Sequence, residues 1–316
     1  MTPNSSHSSL PLLAVLGAAA LDWVARVQEL PGRDGIVSAE EYTPNPGGTG
    51  GNVAVAAARL GIRVSFLGVL GGDEAGQILL TDFLQAGVDV STTRIEAASR
   101  SAACFIAVDR RGERTIISLG GVALYTRPDE LDPAWLHGVR VLFIADAYAE
   151  VAQAAMQALE PGAQVVFAPG GLMAAAGLDY LQPILRRADV LIASRSEART
   201  LTGQEDPGAA LRALSALGPP VVLETVGTEG AWVLEAGQPV HVPALPVAQV
   251  VDTTGAGDAF TGGVLAAHLE GHSWTEAARW GCAAAALKIG ARGARGGLPD
   301  RARLQACLEQ FPLQAR

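Results

Sequence analysis

Short apolar runs alternate with alanine- and leucine-rich stretches along most of the chain. Residues 12–16, 64–68, 139–144, 164–167, 190–192 and 220–223 are runs rich in Val, Ile, Leu and Phe. Each has strand length and predicts a strand buried on both faces. Residues 53–60 and 76–86 lie between such runs and predict helices. This alternation predicts a parallel sheet covered by helices on both sides. Sheets of that kind bind ligands beyond the carboxyl ends of their strands. Residues 24–45 and 95–120 depart from the pattern. They hold half-apolar strands, such as Cys104-Phe-Ile-Ala-Val108 and Thr115-Ile-Ile-Ser118, the latter two joined by a hairpin turn at Arg110-Arg-Gly-Glu113. The two stretches predict one small β-sheet set apart from the body, placed to close over a site as a lid. The alternative is that they are ordinary edge strands. No internal repeat is present.

Composition narrows the class. The chain has 316 residues, 49% of them hydrophobic, which fits one large α/β domain or two small ones. Net charge is −9 and no basic run occurs, so an electrostatic nucleic-acid binder is not expected. An anionic ligand stays compatible, because backbone N–H groups can bind phosphate. The three cysteines, Cys104, Cys282 and Cys307, lie far apart in sequence. They argue against a disulfide framework and for a reducing cytoplasm. The five histidines have no zinc-ligand spacing, and His268 and His272 are expected to be plain helix residues. Residues 10–21 are apolar, but no Lys or Arg precedes them and Asp22 follows at once. They read as a first strand rather than a signal peptide, and they are too short to span a membrane. Residues 1–9 read as a flexible polar tail.

Chemistry concentrates near the carboxyl end. Gln249-Val-Val251 reads as a strand tail, Asp252-Thr-Thr-Gly-Ala-Gly-Asp258 as a glycine turn, and residues 259–267 as a helix. Glycines let a ligand approach the backbone, and the first N–H groups of a helix lack intrahelical partners. With the helix dipole these groups form an anion hole around Gly255, Ala256 and Gly257. An aspartate there is unfavourable unless it has chemical work, so Asp258 is a candidate general base. The physics alone also allows a tight turn with a helix-capping acid. A dinucleotide fingerprint lacks its third glycine, since Phe260 stands there, and no Walker loop occurs.

The ungapped segment Asp252-Thr-Thr-Gly-Ala-Gly-Asp-Ala-Phe260 resembles the carboxyl-terminal signature of the ribokinase family, also called the PfkB carbohydrate kinases. Pro46-Gly-Gly-Thr-Gly-Gly-Asn52 is similar to the family's amino-terminal signature, and the resemblance covers roughly residues 12–300. It implies a single kinase domain over residues 1–316. The implied fold has three layers: a mostly parallel sheet, flanking helices and a small β lid. It implies that Gly47, Gly48, Asn52 and Asp22 bind the acceptor hydroxyls. Glu224-Thr-Val-Gly-Thr-Glu-Gly-Ala231 resembles the nucleotide turn, so Thr225, Gly227 and Gly230 are expected beside ATP. Cys282 stands where the family carries an adenine-side asparagine. Residues 290–297 resemble a monovalent-cation loop, with Asp252 and Thr254 as potassium ligands. Ser194-Arg-Ser-Glu197 replaces the family's Asn-x-x-Glu, and Glu197 is expected to hold Mg2+ through water.

The implied reaction is attack of a sugar hydroxyl on the γ-phosphorus of ATP, with Asp258 taking the proton. A ribose-like acceptor leads and a nucleoside is the alternative. Thr49 stands where ribokinases carry lysine, Asp146 aligns loosely with a family glutamate, and Arg100 is the one evident cation for a sugar phosphate. A non-catalytic sugar- or nucleotide-binding regulator is the reading from another class, and a nicotinamide dehydrogenase is a further one. The family pattern also implies a homodimer joined through the lid.

Overall fold

The structure is a computed structural model and describes residues 12–312. The tail expected at residues 1–9 lies outside the described residues. In chain order the strands are β1 (Leu13–Leu16), β2 (Ala20–Val27), β3 (Ala39–Gly47), β4 (Val64–Leu67), β5 (Val69–Gly71), β6 (Arg94–Glu96) and β7 (Ala103–Val108). They continue with β8 (Arg114–Gly120), β9 (Val141–Ala145), β10 (Gln164–Ala168), β11 (Val190–Ser194), β12 (Val221–Thr225), β13 (Gly230–Glu235) and β14 (Gln238–Pro243).

Eight strands form the main sheet in the order β14-β13-β12-β11-β10-β9-β1-β4. The six from β12 to β4 run parallel, and β13 and β14 add an antiparallel edge. The pleat of β1 explains its unbroken apolar sequence. Leu13 and Val15 enter one core, while Ala14 and Leu16 enter the other. The first core is covered by the helices Thr49–Arg59, Ala256–Leu269 and Trp274–Lys288. The second is covered by Ala149–Gln157, Leu178–Leu185 and Pro207–Ser215.

A separate four-stranded sheet has the order β3-β2-β7-β8. It is the small sheet expected from residues 24–45 and 95–120, with two differences. β2 begins at Ala20, and β6 pairs with β5 instead of joining the lid. Register places Asp22 opposite Asn45 and Cys104, and Cys104 opposite Ser118. One face of this sheet therefore carries Asp22, Val24, Arg26, Ile106 and Val108 toward the body.

Three local expectations are corrected. Residues 249–251 are not a strand, because the N–H groups of Val251 and Asp252 both donate to Ile289 O instead of entering a ladder. The helix expected over residues 53–60 begins earlier, at Thr49. Gly48 caps that helix with φ 82°, and Asn52 lies in its first turn, leaving its side chain free for a distant partner. His272 lies beyond the helix that holds His268, past the left-handed Gly271. Among the described residues no helix is long and apolar enough to cross a membrane.

Candidate active site

The helix Ala256–Leu269 starts abruptly after Gly255, which has φ 77°. A Cβ on Gly255 would lie 2.6 Å from Ala294 O, so only glycine lets the turn pack on that loop. Asp258 is the third residue of the helix. The N–H of Ala256 is turned toward Thr253 O at 3.1 Å. The N–H groups of Gly255, Gly257 and Asp258 have no backbone acceptor among the described residues, so they face outward.

Asp258 is held from across the molecule. Asn52 Nδ2 donates to its Oδ2 at 2.7 Å. Arg295 fixes which way that amide points, because Arg295 Nε donates to Asn52 Oδ1 at 2.9 Å. The guanidinium also donates to Gly47 O at 3.0 Å, pairs with Asp82 and lies over the Phe83 ring. Asn52 and Arg295 are each only 5% exposed. Burial pushes the Asp258 carboxyl up to about 6; the Asn52 amide opposes this, the Asp146 and Glu197 carboxylates add to it, and Arg295 opposes it. A carboxyl near 6 is mostly ionised at neutral pH yet basic enough to accept a hydroxyl proton.

The glycine turn divides two cavities, since Val250 and Thr253 line both. The first cavity, of about 730 Å³, lies under the lid sheet and contains Asp22. Burial raises the Asp22 carboxyl, with Arg295 opposing. Gly47 and Gly48 meet Asp22 and the loop after β1 so closely that added Cβ atoms would lie 2.9 Å from Asp22 Oδ2 and 2.7 Å from Ala18 O. The structure thus brings Asp22, Gly47, Gly48, Asn52 and Asp258 into one neighbourhood. Asp146 is in the left-handed region at φ 51°, and burial raises its carboxyl, with Thr49 opposing and the Glu197 carboxylate adding. Arg100 does not line this cavity; Arg26, Arg110, Arg114 and Arg292 do.

The second cavity, of about 530 Å³, gathers Thr225, Gly227, Gly230, Gly257 and Cys282 with Phe260 and Ile289. Its walls are mainly apolar and suit a flat aromatic base. Burial pushes the Cys282 thiol up to about 12, so it stays neutral and offers only a weak donor there.

Glu197 sits in a capping box. Its Oε2 accepts from Ser194 N at 2.8 Å, and its N–H donates to Ser194 Oγ. One carboxylate oxygen is therefore engaged locally and the other is left over. Arg195 turns away to Glu229 at 2.8 Å. Asp252 Oδ1 accepts from Thr254 N and Oδ2 from Gly293 N, both at 2.9 Å. Lys288 Nζ donates to Asp252 O at 2.8 Å.

A family model for pfkB family carbohydrate kinases matches residues 10–301. The chain belongs to that family. It is therefore an ATP-dependent phosphotransferase on the ribokinase fold. It is 31% identical to the ribokinase of Haemophilus influenzae over 92% of this chain and 95% of that protein. It is also 31% identical to the aminoimidazole riboside kinase of Salmonella typhimurium, over 95% of each chain. The solved structure of Arabidopsis thaliana ribokinase with ribose and ATP superposes with a TM-score of 0.85, at 28% identity, over 95% of this chain and 99% of that one. Two side chains of this candidate site in the pfkB kinase, Arg295 and Asp82, escaped the sequence reading. The only available signal was an arginine set between glycines in Gly293-Ala-Arg-Gly-Gly297.

Proposed function

We propose that this kinase transfers the γ-phosphoryl group of ATP to a hydroxyl of a ribose-like sugar. One contact carries the reading: the Asp258 carboxylate, held by Asn52 at 2.7 Å, lies beside the outward N–H groups in the first turn of the helix whose Gly257 lines the apolar cavity. ATP fits the apolar cavity with its phosphates toward Gly227 and Gly257. The sugar fits the lid cavity, where Asp22 accepts hydrogen bonds from paired hydroxyls. Asp258 takes the proton as the hydroxyl attacks, and the N–H groups of Gly255, Gly257 and Asp258 stabilise the transferring phosphoryl oxygens. The lid sheet excludes water as a competing acceptor.

Among the described residues no cluster of three His, Cys, Asp or Glu side chains holds a metal by itself. The site nevertheless suits Mg2+ carried mainly by the nucleotide phosphates. Asp146 and Glu197 both raise the Asp258 carboxyl, a repulsion that a hydrated divalent cation relieves. Glu197 would hold it through water, and the ion would neutralise charge on the phosphates.

A nucleoside acceptor is the second reading, favoured by a lid cavity of about 730 Å³ that is roomier than a pentose needs. The lid edge strand β8 is exposed along its whole length, with Ile116, Ile117 and Leu119 uncovered, which supports pairing of two copies through the lid. Cys104, Cys282 and Cys307 are all unpaired, which suits the cytoplasm. An ADP-release assay over pentoses, hexoses and nucleosides tests the acceptor. Turnover highest with a pentose supports the first reading, and turnover highest with a nucleoside supports the second. ADP release unaffected by every acceptor contradicts both.

A further inference from the structure

Lys288 is the single lysine of the chain, against 22 arginines. Lysine is normally a surface residue, yet Lys288 is 0% exposed. It ends the helix Trp274–Lys288, where the helix dipole favours a cation. Its ammonium donates to Asp252 O at 2.8 Å and to Ala291 O at 3.4 Å. The surrounding backbone is stapled to the same place. Val251 N and Asp252 N donate to Ile289 O, and Gly293 N donates to Asp252 Oδ2. Burial lowers the proton affinity of the Lys288 ammonium, and the charges of the Asp252 and Asp258 carboxylates oppose this. Asp252 opens the glycine turn, and Gly255 packs directly against Ala294 in the loop that follows Lys288. The buried charge thus sits behind the N–H groups that face the phosphoryl group.

The resemblance to the family placed a monovalent cation at Asp252 and Thr254. The residues present do not fit one. Both Asp252 carboxylate oxygens already accept backbone N–H groups. The Asp252 carbonyl is occupied by the ammonium. A second cation against the same oxygens would meet a like charge a few ångströms away in a poorly hydrated space. An ammonium is also the one protein group that copies a small alkali ion, being a compact charge with several donors, whereas a guanidinium is a planar fork. This accounts for a lysine at this one position in an arginine-rich chain.

We infer that Lys288 is a tethered replacement for the monovalent cation, so that the glycine turn is held in its phosphate-binding shape without dissolved potassium. The inference rests on the kinase reading but is testable without turnover. The first test is the melting temperature of the wild-type protein in KCl against tetramethylammonium chloride at equal ionic strength. The expected result is no dependence on K+. A rise of Tm with log K+ concentration, as linked binding requires, overturns the inference. In the assay on the best acceptor, the two salts should give rates within about 2-fold, and activation of about 10-fold or more by K+ overturns it.

The variants supply the converse. Lys288→Ala opens a carbonyl-lined space, so its Tm and turnover should become K+-dependent, with K+ or ammonium restoring the rate to within about 3-fold of wild type. Lys288→Met fills the space without charge and should lose turnover in every salt. A Lys288→Ala protein equally impaired in both salts overturns the inference. Should that variant not fold, the wild-type measurements decide alone.

Discussion

At the scale of single residues the account turns on the proton affinity of Asp258. In the fold the carboxyl titrates near 6, against 3.8 as a free side chain. Folding therefore disfavours its charged form. The penalty is absent below the unfolded value, grows as pH rises toward the folded value, and is constant above it. Asp258→Asn removes the charge and keeps an oxygen for the Asn52 amide. It should stabilise the protein at neutral pH by about 1–2 kcal/mol, after discounting for the water that reaches this half-buried group, with little gain at about pH 4. Denaturant melts at the two pH values check this, and equal effects at both contradict it. Asn52→Ala removes the hydrogen bond that lowers the Asp258 carboxyl. The acid limb of kcat/KM should then move up by about 1 pH unit, and an unmoved limb would separate Asp258 from the observed titration. The base candidate was legible because an aspartate beside glycines at a helix start is a local pattern. Its partner network was not, since Asn52 and Arg295 meet over 243 positions of sequence.

At the scale of elements the glycine turn and the helix Ala256–Leu269 make a controlled comparison. Gly255 is left-handed and packed against Ala294, so Gly255→Ala should destabilise the fold by about 1–3 kcal/mol. Gly257 lies inside the helix with open space where a Cβ would go, and it lines the apolar cavity proposed for ATP. Gly257→Ala should leave Tm unchanged or slightly raised. It should still lower turnover by about 10-fold or more, because the methyl group stands where phosphate approaches the backbone. Thermal melts and steady-state kinetics on both variants test the pair, and full activity in Gly257→Ala would remove that N–H from the anion hole. The buried strands were legible from their continuous apolar runs. Residues 249–251 were not, because Gln-Val-Val reads as a strand until its N–H groups are seen to donate to Ile289. The start of the first helix was read four residues late for a related reason: it begins at Thr49, and a glycine, not a polar side chain, caps it.

At the scale of the whole molecule, alternating strands and helices specified the three layers, and the half-apolar stretches specified the small sheet, while its strand order and register needed long-range pairing to appear. β2 joins β7 in parallel from distant parts of the chain, and that register sets Ile106 beside Val24 and Val108 beside Arg26 on the face over the cleft. The opposite edge, β8, is left uncovered with apolar residues on both faces. If two copies pair through it, Ile117→Asp should shift the protein from dimer to monomer in sedimentation, whereas an unchanged dimer would place the contact elsewhere. Phosphoryl transfer itself is decided by comparing ATP binding with turnover in Asp258→Asn on the best acceptor. The account predicts that kcat falls by about 100-fold or more while the Kd for ATP is essentially unchanged. Near-normal turnover in that variant would contradict it.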